Sequence, residues 1–470
     1  MKLKYFAIPA ILFSGTSYYL LNSNKENKIA LPETEVTERG YTKSDSLIEN
    51  VLEAEVDNSS IITQDSIKQE GISPQEEIKT VAKKTAQPTT EMTKPTIKEN
   101  SILLLSSDID LKGDTCKLPK GVTIKSDKGV IKNGVLIGYG TKIEASGAIF
   151  DKVAIKGTWN VPEIKTTYFK DLTYDNALKD IFALTTPSMK NIVTIESGNY
   201  PVSVNTATRN CIIVNNNTDI KLDGTIKLKP NNLDSYNIIQ VSGNNINIFG
   251  TGSIIGDKHT HTGKTGEWGM GINIANGNNI SISGLTIKEC WGDCIYIGKK
   301  SRNIKIHDCK IDNGRRQGIS ITSGNSIIIS NCNITNVKGT APEYAIDIEP
   351  NKNDTIDNVI LDNINVKDCI GGLLAYGKAS KAKIRNIIIK NCNTSAQEKY
   401  PILLMECEKV NINNCTINIT NEKDAIRSEN INKIVITNNT IIKNNTQKTV
   451  NSYINIKNCI SKNINNNQIK

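Results

Sequence analysis

The sequence predicts an all-β fold, a parallel β-solenoid, from three aligned columns of residues. Short apolar triplets form the first: Ile272-Asn-Ile274, Ile295-Tyr-Ile297, Ile319-Ser-Ile321, Ile346-Asp-Ile348, Leu374-Ala-Tyr376, Ile402-Leu-Leu404 and Ile426-Arg-Ser428, with 23 to 28 residues between starts. A second column follows each triplet: Ile280-Ser-Ile282, Ile304-Lys-Ile306, Ile327-Ile-Ile329, Val359-Ile-Leu361, Ile387-Ile-Ile389, Val410-Asn-Ile412 and Ile434-Val-Ile436. Two residues beyond stands a turn-forming column: Gly284, Asp308, Asn331, Asn363, Asn391, Asn414 and Asn438. An apolar-x-apolar strand points two side chains inward and one outward. One coil cannot bury its own inward face, so coils must stack, with strands about 4.8 Å apart. The Asn column then predicts a ladder of side-chain amides from coil to coil.

Composition agrees. Six Phe and three Trp in 470 residues exclude a core of bulky aromatics, and Ile, Val and Asn supply β-branched filling and turns instead. The position after the turn column reads Leu285, Cys309, Cys332, Ile364, Cys392, Cys415 and Asn439. Cysteine exchanging with Leu and Ile behaves as a small buried apolar residue, and thiols one rung apart are poorly placed to bridge. Cys290 and Cys294 lack a second pair at metal-binding spacing, so no metal site is predicted. The formal charge of +9 fits an anionic partner such as an acidic polysaccharide. Acids and bases are nevertheless interspersed, as on an ordinary solvated surface. No nucleic-acid partner is expected, and the oligomeric state is left open.

The elements follow in chain order. Lys2 and Lys4 precede an apolar run from Tyr5 to Leu21, which predicts export through residues 1–23 as a signal peptide or retained membrane tether. The expected location is secreted, periplasmic or on the cell envelope. Residues 24–100 are polar without periodicity and are expected to be a spacer without fixed structure. Residues 101–170 alternate short apolar runs with Gly turns, a β-rich leader. Residues 175–184, Asp175-Asn-Ala-Leu-Lys-Asp-Ile-Phe-Ala-Leu, carry apolar positions at helical spacing behind a plausible N-cap at Asp175. This helix is expected to cap the N-terminal end of a solenoid running over 171–470, with 191–470 one continuous stack of coils.

Asp175-Asn-Ala-Leu followed by Ile195-Glu-Ser-Gly-Asn-Tyr200 resembles the opening of right-handed parallel β-helix proteins of the pectate-lyase-like kind. Gly250-Thr-Gly-Ser-Ile-Ile-Gly256 resembles the Gly-rich turn of pectinases, and Leu103 through Trp159-Asn-Val-Pro-Glu-Ile164 resembles leaders on such proteins of Bacteroidetes-type bacteria and their phages. The resemblance spans residues 101–470 and implies a right-handed coil. It implies no single reaction, since the scaffold hosts lyases, hydrolases, epimerases and inert fibres. The polygalacturonase-type hydrolases place Asn-Thr-Asp, Asp-Asp-Cys, Gly-His-Gly and Arg-Ile-Lys on successive coils. The matching places here read Gly269-Met-Gly271, Gly292-Asp-Cys294, Arg316-Gln-Gly318 and Ile346-Asp-Ile-Glu349. Only Asp293 survives, and Gln317 stands in the His place, which argues against that hydrolase chemistry.

Three consecutive coils still carry polar residues that the fold does not require. Asp293 and Tyr296 come from the first, Arg315, Arg316 and Gln317 from the second, and Asp347 and Glu349 from the third. Asp293, Arg316, Asp347 and Glu349 are the candidate catalytic residues. The insertion Gly256 to Gly269 begins one coil earlier and is expected to roof the groove, with His261, Glu267 and Trp268 joining Tyr296, Arg315 and Gln317 as binding residues. Outward Asp, Arg and Glu on neighbouring strands also form plain ion-pair ladders. Two chemistries remain open. A lyase or epimerase would neutralise a uronate with Arg315, Arg316 or a bound Ca2+, and Tyr296 or His261 would take the α-proton. A hydrolase would use two carboxyls, one kept protonated. The rival is a glycan-binding spike without catalysis, of envelope or phage origin.

Overall fold

The computed structural model describes residues 97–174, 177–443 and 449–470. The expected signal segment, nearly all of the expected spacer and the N-cap Asp175 lie outside the described residues. Coils in the middle of the stack carry three strands, and from Ile402 onward the first two merge into one long strand, as in Ile402–Asn413. Ile295–Gly298, Ser301–His307 and Lys310–Asp312 make one coil, and Ile319–Ile321, Gly324–Ser330 and Asn333–Thr335 the next. The pairing is parallel throughout and follows the apolar columns: Ile295 lies beside Ile319 and Ile319 beside Ile346; Ile304 beside Ile327; Ile311 beside Ile334. Strands of the first two columns join one 19-stranded sheet, and those of the third an 11-stranded sheet. The inward Ile and Val of both sheets are buried and form the core.

The turn column explains itself through backbone conformation. Gly284, Asp308, Asn331, Asn363, Asn391, Asn414 and Asn438 all have φ between 52° and 76°. Asn, Asp and Gly tolerate this left-handed region best, so the column is restricted to them. The amides also link coils: Asn363 donates to Asn331 Oδ1 at 2.9 Å and Asn414 to Asn391 Oδ1 at 2.8 Å. Two rungs use the preceding residue instead, Asn391 bonding Asp362 and Asn438 bonding Asn413. Cys309, Cys332, Cys392 and Cys415 are buried free thiols, level with Leu285, Ile364 and Asn439.

Three readings change. The triplet expected at Leu374-Ala-Tyr376 starts one residue earlier: Leu373 lies beside Ile346 and Leu374 beside Asp347. Leu374, not Ala375, is therefore the outward residue of that coil. The slip arises because Leu373, Leu374 and Tyr376 are all apolar, so alternation alone leaves the register open. Second, the leader already stacks as parallel coils: Ile102 beside Thr123, Thr123 beside Lys142, and Ile109 beside Ile131, which lies beside Phe150. Glu163–Lys165 then pairs with Asn191–Ile195, so stacking carries past the boundary expected at 170. Third, the helix spans Ala177–Phe182 and buries Ala177, Leu178, Ile181 and Phe182. It packs on Phe150–Trp159 of the leader and on Asn199–Val202 and Asn210–Val214 of the solenoid, and Asp180 accepts the Ile155 N–H at 3.0 Å.

Candidate functional site

Stacking alone brings the three acid-bearing coils together. Tyr296, Ser320 and Asp347 occupy one outward column on successive rungs. Asp293 and Gln317 stand three residues before that column on their coils, and Glu349 two residues after it. Outward side chains on an uncovered sheet are normally wet, yet Asp293 is 0% and Asp347 3% exposed. Both therefore rely on protein groups for the hydrogen bonds they make.

Asp293 accepts the Ser320 hydroxyl at 2.7 Å and pairs with Arg316 Nη1 at 3.2 Å. The Arg316 side chain is 18% exposed, and its Nε stands 3.7 Å from Glu267 Oε2. Gln317 crosses the other way: its Nε2 donates to Asp347 Oδ2 at 2.5 Å, and its Oε1 accepts the Tyr344 N–H at 2.7 Å. Asp347 Oδ1 has no hydrogen-bond partner among the described residues. Burial, then the neighbouring Glu349, push the Asp347 carboxyl well above the usual range. Arg316 and the Gln317 bond oppose this, and Asp293 adds to it. The balance of these effects pushes the Asp347 carboxyl toward its neutral form, beside an acid–guanidinium pair. Thr322 donates to the Tyr296 hydroxyl oxygen at 2.7 Å, fixing the ring beside the same column. Ser320 and Thr322 are site residues that sequence reading missed; Ser320 is the x of Ile319-Ser-Ile321, and Thr322 stands just past that triplet.

The roof is only partly as expected. Glu267 does reach the site through Arg316, and Trp268 opens the strand Trp268–Ala275 with 39% exposure. His261 and Arg315 do not face the acids. The His261 side chain is fully buried, with Nδ1 2.8 Å from Asp257 Oδ2 and its ring stacked 3.9 Å from that of Trp291. Asp257 also accepts the Tyr236 hydroxyl and Asn231 Nδ2. On the far side of Trp291, the Arg315 guanidinium lies 3.6 Å over the ring and donates to the Trp291 and Gly266 carbonyls at 3.1 and 3.4 Å. An aromatic face attracts a guanidinium, and a ring pair of this kind buries large area. These residues tie both ends of the insertion down. The Asp257-x-x-x-His261 spacing was the sequence signal for them. His259 bonds the Asn313 amide at 2.8 Å, away from the acids. No group of three or more His, Cys, Asp or Glu that could hold a metal occurs among the described residues.

Residues 191–356 match the family described as the right handed beta helix region. Two curated relatives come from Bacillus subtilis (strain 168). The SPbeta prophage-derived uncharacterized protein YorA is 27% identical over 189 residues, 34% of this chain and 32% of that protein. The uncharacterized protein YclG is 34% identical over 160 residues, 29% of this chain and 27% of that protein. The chain thus spans about a third or less of the curated relatives it matches. Among solved structures, the Azotobacter vinelandii mannuronan C-5 epimerase AlgE6 A-module is similar with a TM-score of 0.46 at 11% identity, covering 65% of this chain and 98% of that one. The resemblance to right-handed parallel β-helix proteins holds at the level of the fold.

Proposed function

We propose that this right-handed β-helix chain binds a polysaccharide in the groove over Asp347 and cleaves it, with Asp347 as the general acid. One observation carries the reading. A buried carboxyl, raised above its usual range and with one oxygen unpartnered, sits among Asp293, Arg316, Gln317 and Glu349 gathered from three coils. A carboxyl kept neutral near pH 7 can protonate a glycosidic oxygen. Glu349, two residues on and just past the end of the strand, supplies the second carboxyl that hydrolysis requires. This arrangement favours hydrolysis over lyase or epimerase chemistry, in which Arg316 would neutralise a uronate and Tyr296 would take the α-proton. The near-complete enclosure of Asp293 and Asp347 favours a second reading, a glycan-binding protein without turnover.

Reducing ends and products absorbing near 235 nm, released from polygalacturonate, alginate, hyaluronan and xylan, separate these readings; EDTA and Ca2+ arms test for a metal requirement. Hydrolysis predicts reducing ends without the ultraviolet product, abolished by Asp347→Asn. Release by Asp347→Asn at the wild-type rate would refute the assignment, and binding without any release would select the second reading. Export with an envelope tether belongs to the same proposal, supported by Lys2, Lys4 and the apolar run after them. So does closure of the first coils by the helix Ala177–Phe182, supported by its packing on Asn199–Val202 and Asn210–Val214. Cell fractionation tests the first. Exposure of hydrophobic surface to dye on Phe182→Asp tests the second.

A further inference from the structure

The insertion that begins at Gly256 lays a lysine against a side-chain amide of a later coil. Lys258 is half-buried, and its N–H bonds the Glu289 carbonyl at 2.9 Å. Its Nζ donates to Asn313 Oδ1 at 2.6 Å and to the Lys338 carbonyl at 2.9 Å. The nitrogen of the same amide, Asn313 Nδ2, stands 2.8 Å from His259 Nε2. An amine, an amide carbon and an imidazole thus meet at one point. Asn313 is fixed there by its backbone: φ is 56°, and its N–H bonds the Thr335 carbonyl at 2.9 Å. Since a carbonyl bond is about 1.23 Å, Nζ lies at most about 3.8 Å from Asn313 Cγ. Reacting atoms held about 3–3.5 Å apart are in attacking range, and the flexible lysine stem can close that gap by swinging Nζ from the oxygen to the carbon.

We infer that Lys258 and Asn313 become joined by an amide bond between Nζ and Cγ, with His259 serving the proton of the leaving nitrogen. The bond formed is Nζ–Cγ and the bond broken is Cγ–Nδ2, so the product is a secondary amide and ammonia leaves. Neutral Nζ is the nucleophile. It gives one proton to solvent base, while protonated His259 gives one to Nδ2. No atom changes oxidation state, so the step needs no oxidant or cofactor. Burial pushes the Lys258 ammonium below its ordinary range; Cys294 opposes this, Lys338 adds to it, Asp312 opposes and Arg315 adds. Burial of this kind frees more of the neutral amine. His259 is exposed and exchanges protons with water. The bond fastens the start of the insertion to the turn that leads into Arg315 and Arg316. It thereby restrains the loop whose far end brings Glu267 to Arg316. The inference is independent of the proposed catalysis.

Peptide mapping of the whole purified chain by mass spectrometry tests this. The bond predicts a branched peptide that joins the Lys258 and Asn313 segments and is lighter than their sum by one ammonia. Trypsin should no longer cut after Lys258. Lys258→Arg keeps the positive charge and Asn313→Gly keeps the positive φ, but each lacks one reacting group, so neither should yield the branched peptide. The boiled, reduced wild type should run faster on a denaturing gel than either variant. His259→Ala should form the bond several-fold more slowly in freshly made protein, and imidazole in the buffer should restore part of the rate. Recovery of separate wild-type peptides, with Lys258 and Asn313 unmodified, would overturn the inference, and so would Asn313 recovered as an acid in place of the bond. A rate unchanged in His259→Ala would remove His259 from the account.

Discussion

Arg316→Ala probes whether the acid cluster is a desolvated unit or a surface ion pair. Asp293 has no exposed surface, and it is held by Ser320 Oγ at 2.7 Å and Arg316 Nη1 at 3.2 Å. Removing Arg316 leaves a buried carboxylate with one hydroxyl donor. Breaking a buried ion pair from one side costs about 3–5 kcal/mol, against about 0–1 kcal/mol for an exposed pair. Arg316 keeps 18% of its side chain in solvent, so water enters the vacated space and the lower end, about 3 kcal/mol, is the expected loss. The double variant Arg316→Ala, Asp293→Asn should recover most of it, because a neutral amide needs no counter-charge and can still accept from Ser320. Urea unfolding at neutral pH, followed by tryptophan fluorescence, reads the effect, since Trp291 stands two residues before Asp293 and Trp268 follows Glu267, which reaches Arg316. A loss below about 0.5 kcal/mol, or no recovery in the double variant, would show that Asp293 is solvated and that the site is an ordinary surface ladder.

Three further outcomes are expected. Burial holds the Asp347 carboxyl above its unfolded value, so the folded chain keeps a proton that the unfolded chain releases from about pH 4 upward. Stability therefore falls as pH rises through that window toward the raised value, and Asp347→Asn should flatten the fall; a wild-type-minus-variant difference independent of pH would contradict it. The thiols of Cys309, Cys332, Cys392 and Cys415 should stay unreactive to a thiol reagent until the chain unfolds, and a bridge between any two in the native protein, found by mass spectrometry, would count against the stacked-thiol core. Ile329→Ala removes a fully buried inward side chain and should cost about 2–5 kcal/mol in urea unfolding; a cost under 1 kcal/mol would mean that coil is loosely packed.

The coil register was legible because its period is physical. An inward pair every second residue and a turn column confined to Asn, Asp and Gly leave few alternatives, so Ile295, Ile319 and Ile346 fell into line. Where outward positions are also apolar, as at Leu374, the pattern loses its phase and the reading slipped by one residue. The site was half legible for the same reason. Registry placed Asp293, Arg316 and Asp347 on one face; Arg316 and Ser320 bind Asp293, and Gln317 binds Asp347. Burial of those acids was not legible, since Asp293 is covered through Arg316 and Glu267, and Asp347 lies beside Leu374 of the next coil, all distant from them in sequence. The inward turn of His261 toward Asp257 and Trp291 was hidden because a Gly-rich insertion carries no periodicity to read.

The central claim is that one carboxyl in this cluster is carried as the neutral acid, ready to give a proton. Infrared difference spectra at neutral pH test it directly, since a protonated carboxyl has a carbonyl band well separated from that of a carboxylate. The wild type should show one such band that is missing in Asp347→Asn, retained in Asp293→Asn, and lost from the wild type only as pH is raised far beyond the ordinary carboxylate range. A neutral-pH spectrum identical in the wild type and Asp347→Asn would contradict the account.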